Sequence, residues 1–288
     1  MITEKQRIER KKFVGSSDAS AIVGCNPWMS ALDLYYDKTG MTEDKDISND
    51  AMTAGTYCET AILNWFQDLD GISFDRDKQV IAENNIQAAN FDGLNANLQF
   101  AVEAKMTRST DEWGEVGTNE VPDRVMIQVM HQMAVVPRLV VVYIPVLFAA
   151  DMMFRQYEVR RDDELIKELT QQELHFWHEH VAKKIPPAES AHLETLKKLK
   201  RVPNKKVEIN PDTLQLWLEA KIQANQAVKE KKAIEAQMLS ELGDAEQGDC
   251  DLGTLTYFET VRKGYEVNET CYRTLRYKKP LNNKPRTI

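Results

Sequence analysis

Cysteine is scarce and scattered in this chain. Cys25, Cys58, Cys250 and Cys271 stand far apart, with no CxxC pair of the kind that holds zinc. Long apolar runs are missing too. The longest, LVVVYIPVLFAA from Leu139, falls short of the ~18 residues of a membrane span. The opening residues, MITEKQRIERKK, contain no apolar signal-peptide core. These absences predict a reduced, cytoplasmic protein without a membrane partner. Positive charge is also short. A formal net charge of −8 argues against nonspecific coating of nucleic acid, which uses an excess of Lys and Arg, but it leaves room for a locally basic groove. Internal repeats and low-complexity tracts do not occur. What is present is the composition of a soluble globular protein, 42% apolar and 28% charged over 288 residues. That length accommodates one large domain, or a domain plus an extension.

The chemistry concentrates in NFDGLNANLQFAVEAK, residues 90–105. Side chains alternate across a strand. If Leu98–Lys105 is a strand, Leu98, Phe100, Val102 and Ala104 face one way, and Glu103 and Lys105 face the other together. A carboxylate and an ammonium buried side by side are costly unless they pair or bind something. Asp92, delivered from the turn of a preceding strand, would bring a second acidic group to the same spot. Two acidic groups beside a lysine suit a hard divalent cation such as Mg2+, completed by water and substrate phosphate. The pattern D-x10-E-x-K is weak alone and fits solvated charges on a strand edge equally well.

Other segments bear on it. Residues 10–40 read as two short helices, the first capped by Ser16 or Ser17 and ended at Gly24, the second capped by Ser30 and ended at Gly40. A serine-bearing helix start is either a simple cap or an anion site to which Arg10 adds a guanidinium fork. The segment 49–70 is helical, with Glu59 inside the apolar stripe formed by Met52, Gly55, Ile62 and Phe66, so Glu59 is either hydrogen-bonded structure or part of a site. Strand-like pieces follow at 72–74, 79–82 and 88–91. A helix from Pro122 to about Val136 puts Gln128 and Gln132 on one face, where they either orient groups of the site or form a polar surface. Two more strands are expected at 139–145 and 153–159, then a helix from about Asp162 to Lys184, stopped by Pro186-Pro187. On that helix His175 and His178 share a face and His180 points elsewhere, so packing is favoured over a histidine metal site. A boundary at 187/188 separates this core from an extension. The extension holds a basic run, Lys197 to Lys206, that is either a solvated linker or a DNA-backbone path. A helix from Asn210 to about Leu242 follows, packing on the core or on a neighbouring subunit, and then a hairpin of 255–261 with 271–277.

With these pieces placed, VGSSDASAIVGCNPW, GTYCE, NFDGL, VEAK and the stretch from EWGEVGTNEVP to IQVMHQM resemble the YqaJ-type viral recombinases, phage alkaline exonucleases related to lambda exonuclease. The matching stretches span residues 10 to about 136. The resemblance implies an α/β (α+β) PD-(D/E)xK restriction-endonuclease-like core, a mixed sheet flanked by helices. By position, Asp92, Glu103 and Lys105 match the core motif, Glu59 the upstream glutamate, and Gln128 (with Gln132 as the fallback) the glutamine of the following helix. Arg10 and Ser17 match the family's pocket for a 5′-phosphate. The proline of the motif name is absent, since Asn90-Phe91 precedes Asp92.

The implied activity is Mg2+-dependent digestion of one strand of linear duplex DNA, 5′ to 3′, from phosphorylated ends, leaving 3′ overhangs for strand annealing. Asp92, Glu103 and the carbonyl of Ala104 would hold one Mg2+, and Glu59 with Asp92 a second; Mn2+ is the expected substitute. The resemblance further implies a ring-shaped homotrimer around DNA, a single-strand annealing protein as partner, and a phage or prophage gene expressed in a bacterial cytoplasm. Rival readings are a nuclease of the same fold with another polarity or endonucleolytic action, and a noncatalytic DNA-end-binding protein. Iron–sulfur relatives cluster cysteines near the C-terminus, and Cys250 and Cys271 lack that clustering.

Overall fold

A computed structural model describes residues 8–43 and 49–259. They fall into two compact units that meet between Arg201 and Val202.

The first unit is built on a seven-stranded mixed sheet. Its strands are β1 (Val14–Gly15), β2 (Asp75–Ile81), β3 (Gln87–Leu94), β4 (Phe100–Val102), β5 (Lys105–Thr107), β6 (Val141–Phe148) and β7 (Met153–Arg160). β1 runs parallel to β3, β2 and β4 antiparallel to it. β4 and β5 both pair parallel with β6, and β7 pairs antiparallel with β6. Its helices are α1 (Ser16–Ile22), α2 (Ala31–Lys38), α3 (Asp50–Asp70), α4 (Asp123–Val135), α5 (Asp163–His175) and α6 (Leu193–Lys198). Leu63 and Phe66 of α3 cover one sheet face with Phe74, Phe100, Val102 and Ala104. On the other face Val125, Val129 and Met133 of α4 and Ile166 and Leu169 of α5 bury Phe91, Ala101, Val142, Ile144 and Val146. The expected α/β architecture, a mixed sheet flanked by helices, is the one observed.

Several details depart from expectation. The strand expected over 98–105 is broken: β4 ends at Val102 and β5 begins at Lys105, yet both keep the same register on β6, Val102 opposite Tyr143 and Lys105 opposite Val146. Leu98 belongs to the preceding turn, has a left-handed φ of 58°, and packs with the α4-side core rather than with Phe100 and Val102. The pieces at 72–74 and 79–82 are replaced by the single strand β2, whose mostly exposed side chains hide the alternation of a buried strand. Asp92 lies inside β3, not at its turn. The residue after it, Gly93, has no room for a side chain: an added Cβ would meet the Phe74 ring at 2.5 Å.

At the first helix Gly15, rather than Ser16 or Ser17, is the N-cap, and Asp18 Oδ2 accepts its N–H at 2.8 Å. Ser30 caps α2 as expected. The helix expected over 162–184 changes at Phe176 into a π-helical turn, Phe176–Ala182. The wider π spacing brings His175 and His180 together, ring centroids 6.0 Å apart, in place of His175 with His178. His180 also packs on Phe176 and bonds the Ile185 carbonyl. The first unit extends past 187 because residues 189–200 are tied back onto it. His192 bonds the Asp33 carboxylate, and Leu199 bridges Thr42.

In the second unit, α7 (Pro211–Leu242) starts at Asn210, whose side chain caps Asp212 N–H, and ends at Gly243 with a φ of 63°. None of its residues is buried. A hairpin follows, β8 (Gln247–Cys250) with β9 (Gly253–Thr256). The hairpin expected from 255–261 and 271–277 therefore differs at its first strand, and its second lies outside the described residues.

One buried polar assembly crosses the core. His131 of α4 places Nδ1 2.7 Å from Glu173 Oε1 on α5 and Nε2 3.1 Å from the Ala88 carbonyl on β3. Gln87 Nε2 donates to the other Glu173 oxygen at 2.5 Å. Burial, the largest influence on His131, opposes its charge. The Glu173 carboxylate, its hydrogen bond and the Ala88 carbonyl outweigh that, and His131 holds its proton to higher pH than a free histidine. A raised value in the fold means that the stabilisation is complete below the ordinary value near 6.5 and is lost as pH rises through the raised one. Glu173→Gln is expected to cost about 3–5 kcal/mol in denaturant melts at pH 6. The difference from the parent should shrink on going up in pH; a pH-independent difference would contradict the ion pair.

Candidate functional site

The break between β4 and β5 is where the site forms. β3 and β4 pair only at Gly93–Val102 and Leu94–Ala101. Beyond that point the Ala104 N–H, left without a β3 carbonyl, donates to Asp92 Oδ2 at 2.9 Å. Glu103 N–H meanwhile stays on β6, bonded to the Tyr143 carbonyl at 2.9 Å. The main chain is thus held on one side by the sheet and on the other by an aspartate.

Glu103 is 4% exposed. Its Oε1 accepts from Lys105 Nζ at 2.7 Å and from Gln128 Nε2 at 2.6 Å, and its Oε2 accepts from Gln132 Nε2 at 2.6 Å. Gln128 Oε1 in turn accepts from Lys105 Nζ at 2.8 Å. Gln128 and Gln132 thus both bond Glu103, four residues apart on the α4 face that looks at it. A buried carboxylate surrounded by donors is compatible with its charge.

Asp92 is differently placed. Burial first, then the charges of Glu103 and Glu59, drive its carboxyl well above the usual range, while Lys105 and the Ala104 N–H act in the opposite sense. Glu59, half-buried on α3, is raised by burial, then by Asp77 and Glu103, with Lys105 opposing. Met52, at the start of the same stripe, is exposed, so the apolar face of α3 is covered only from Ile62 onward.

Glu59, Asp92, Glu103 and Gln128 line one cleft of about 550 Å³, which also takes in Arg10, Ser16 and Ser17. Arg10 Nη2 donates to Ser17 Oγ at 3.2 Å. The hydroxyl of Ser16 is buried there with no partner among the described residues. Two residues that sequence reasoning missed also line the cleft, Asp77 and Asn90. Asp77 has a left-handed φ of 53° on β2, and the β2–β3 register sets it opposite Asp92. A D-R-D run in a polar edge strand offered no periodic signal, and only the hairpin register reveals it.

Among the described residues no group of three or more His, Cys, Asp or Glu side chains is arranged to hold a metal ion by itself. The acidic groups stand around an open cleft. Of the basic run, Lys197 pairs with Glu194, Lys200 Nζ donates to the Gly40 carbonyl, and Arg201 donates to the Leu196 carbonyl. Those three are engaged in local structure.

Both the sequence and the fold have counterparts among known proteins. Residues 8–138 match the YqaJ-like viral recombinase domain. The chain is 31% identical over 261 residues to the uncharacterized protein YqaJ of Bacillus subtilis, covering 86% of this chain and 81% of that one. The chain belongs to the YqaJ-like viral recombinase family. Among solved structures it is similar in fold to the alkaline exonuclease LHK-Exo from Laribacter hongkongensis, with a TM-score of 0.52, 20% identity, and coverage of 64% of this chain and 94% of that one. The complex of LHK-Exo with dAMP gives a TM-score of 0.51 at 21% identity, over 64% and 94% of the two chains. The recombinase match contains every cleft residue named above. No described helix is long and apolar enough to cross a membrane.

The raised carboxyl of Asp92 has a consequence for stability. Between its ordinary value near 3.8 and its raised value, the folded chain keeps a proton that the unfolded chain has released, so stability falls as pH rises through that window. In EDTA at neutral pH, Asp92→Asn is expected to melt above the parent, as is common where a site is built at the expense of stability. A lower melting temperature would show that the charge is not strained.

Proposed function

We propose that this chain is a Mg2+-dependent exonuclease that digests one strand of linear double-stranded DNA from 5′-phosphorylated ends in the 5′ to 3′ direction. The observation that carries the reading is the junction of two features in one cleft: the Asp92 and Glu103 carboxylates at the strand break, with Lys105 bonded to Glu103, and the Arg10–Ser17 pair beside the orphaned Ser16 hydroxyl. The first suits a cation with phosphate, the second a terminal anion.

The residues fit the metal. Mg2+ keeps several waters and takes one or two protein carboxylates, which suits an open cleft lined by Asp92, Glu103 and Glu59. Asp92, Glu103 and the carbonyl of Ala104 would hold one ion, and Asp92 with Glu59 a second, with Asp77 a further acidic neighbour. When bound, such ions generate a hydroxide nucleophile and stabilise the leaving 3′-oxygen. Lys105 is tethered by Glu103 and Gln128 through two of its donors. Its remaining position, an N–H as ammonium or a lone pair as amine, is what it offers an attacking water. Gln128 and Gln132 hold Glu103 so that its carboxylate does not swing away when Lys105 moves. Arg10 and Ser17 bind the terminal phosphate, which sets both end preference and direction. The same reading supplies the biological frame by family likeness, a ring-forming homo-oligomer that hands 3′ overhangs to a single-strand annealing protein in recombination.

Digestion of linear duplex with 5′-phosphate or 5′-hydroxyl ends, and of covalently closed circles, tests this. Loss of one strand from phosphorylated ends is expected, dependent on Mg2+ and reduced at least about 10²-fold in Lys105→Ala. Cutting of the closed circle would mean an endonuclease, and binding of ends without cleavage a noncatalytic role.

A further inference from the structure

The pair that reads the terminal phosphate comes from two separate segments, and something must set their spacing. Arg10 lies before β1 and Ser17 in the first turn of α1. A lysine from the last turn of α2 reaches between them. Lys38 has a side chain only 2% exposed; its Nζ donates to the Arg10 carbonyl oxygen at 2.7 Å and lies 2.5 Å from Asp18 Oδ2. That same Asp18 oxygen accepts the Gly15 N–H, closing the start of α1 next to Ser17. One buried ammonium therefore grips the main chain of Arg10 on one side and the neighbour of Ser17 on the other.

We propose that Lys38 is a positioning residue for end recognition, holding Arg10 and Ser17 at the separation that takes a terminal phosphate. The inference rests on the 5′-end reading above. Stability alone does not account for Lys38, because a buried ion pair is commonly no more stable than an apolar pair of the same volume. What a lysine supplies and an apolar residue does not is a directed bond to a carbonyl and a carboxylate at once. Its grip on Arg10 acts through the main chain, leaving the guanidinium free to bond Ser17 and an incoming anion. Loss of the grip would let the 8–13 segment shift relative to α1 while the acidic groups near β3 and β4 stay in place.

Initial-rate kinetics on duplexes with 5′-phosphate or 5′-hydroxyl ends, in Mg2+, compare the parent with Arg10→Ala, Lys38→Met and Lys38→Arg. The preference for phosphorylated ends, as the ratio of kcat/KM values, is expected to fall about tenfold in Lys38→Met, comparable to one charge-assisted hydrogen bond. The fall should appear in KM for phosphorylated ends, and Lys38→Arg should recover part of it. If Lys38→Met does not fold, the neutral pair Lys38→Gln with Asp18→Asn takes its place, since it leaves no buried charge alone. An equal loss on both ends, or an unchanged ratio where Arg10→Ala has lost its preference, overturns the role of Lys38. If the parent and Arg10→Ala treat both ends alike, end recognition itself has failed, and the inference with it.

Discussion

The carboxylate of Glu103 is the fixed point of this molecule. It is buried, and three donors from two elements surround it: Lys105 two residues away, and Gln128 and Gln132 on α4. A buried carboxylate lacking those donors would cost several kcal/mol. The position of α4 over the sheet, the break between β4 and β5, and the reach of Lys105 are thereby tied to one another. The break frees the Ala104 N–H for Asp92, which brings the second acidic group to the same place.

The His131–Glu173 pair extends that constraint. It joins α4 to the Ala88 carbonyl of β3, four residues before Asp92, and to α5 behind. The helix carrying the two glutamines and the strand carrying the aspartate are thus linked directly by the His131–Ala88 hydrogen bond and indirectly through Glu103 and the Ala104 N–H bonded to Asp92. On the opposite face, Leu63 and Phe66 hold α3 to the sheet and so carry Glu59 to the cleft rim. The acidic cleft is closely packed where it meets the core and open where it meets solvent, a combination suited to binding a cation and a phosphate that arrive together.

Much of this was legible in the residues. The two-residue spacing of Glu103 and Lys105 is the period of a strand, and the four-residue spacing of Gln128 and Gln132 that of a helix; both patterns survive because each has a buried face to enforce it. The capping of α2 by Ser30 and the α/β layering were readable for the same reason. What escaped depends on contacts distant in sequence. The strand break at 103–104 arises because β3 diverges from β4, which no local pattern records. Asp77 lies in an exposed edge strand with no alternation, and its place opposite Asp92 is a matter of hairpin register. The cap at Gly15 rather than Ser16 follows from Asp18, which Lys38 fixes from another helix. The meeting of His175 with His180 follows from a π turn that the sequence does not announce.

The proposed function requires the Asp92–Glu103 junction to hold a divalent cation beside a DNA end. Anomalous diffraction from crystals grown with Mn2+ and a short 5′-phosphorylated duplex tests it most directly. A metal peak in contact with Asp92 and Glu103 is expected, with the terminal phosphate at Arg10 and Ser17. A duplex bound in the cleft with no metal at those carboxylates, or metal found only elsewhere on the chain, would contradict it.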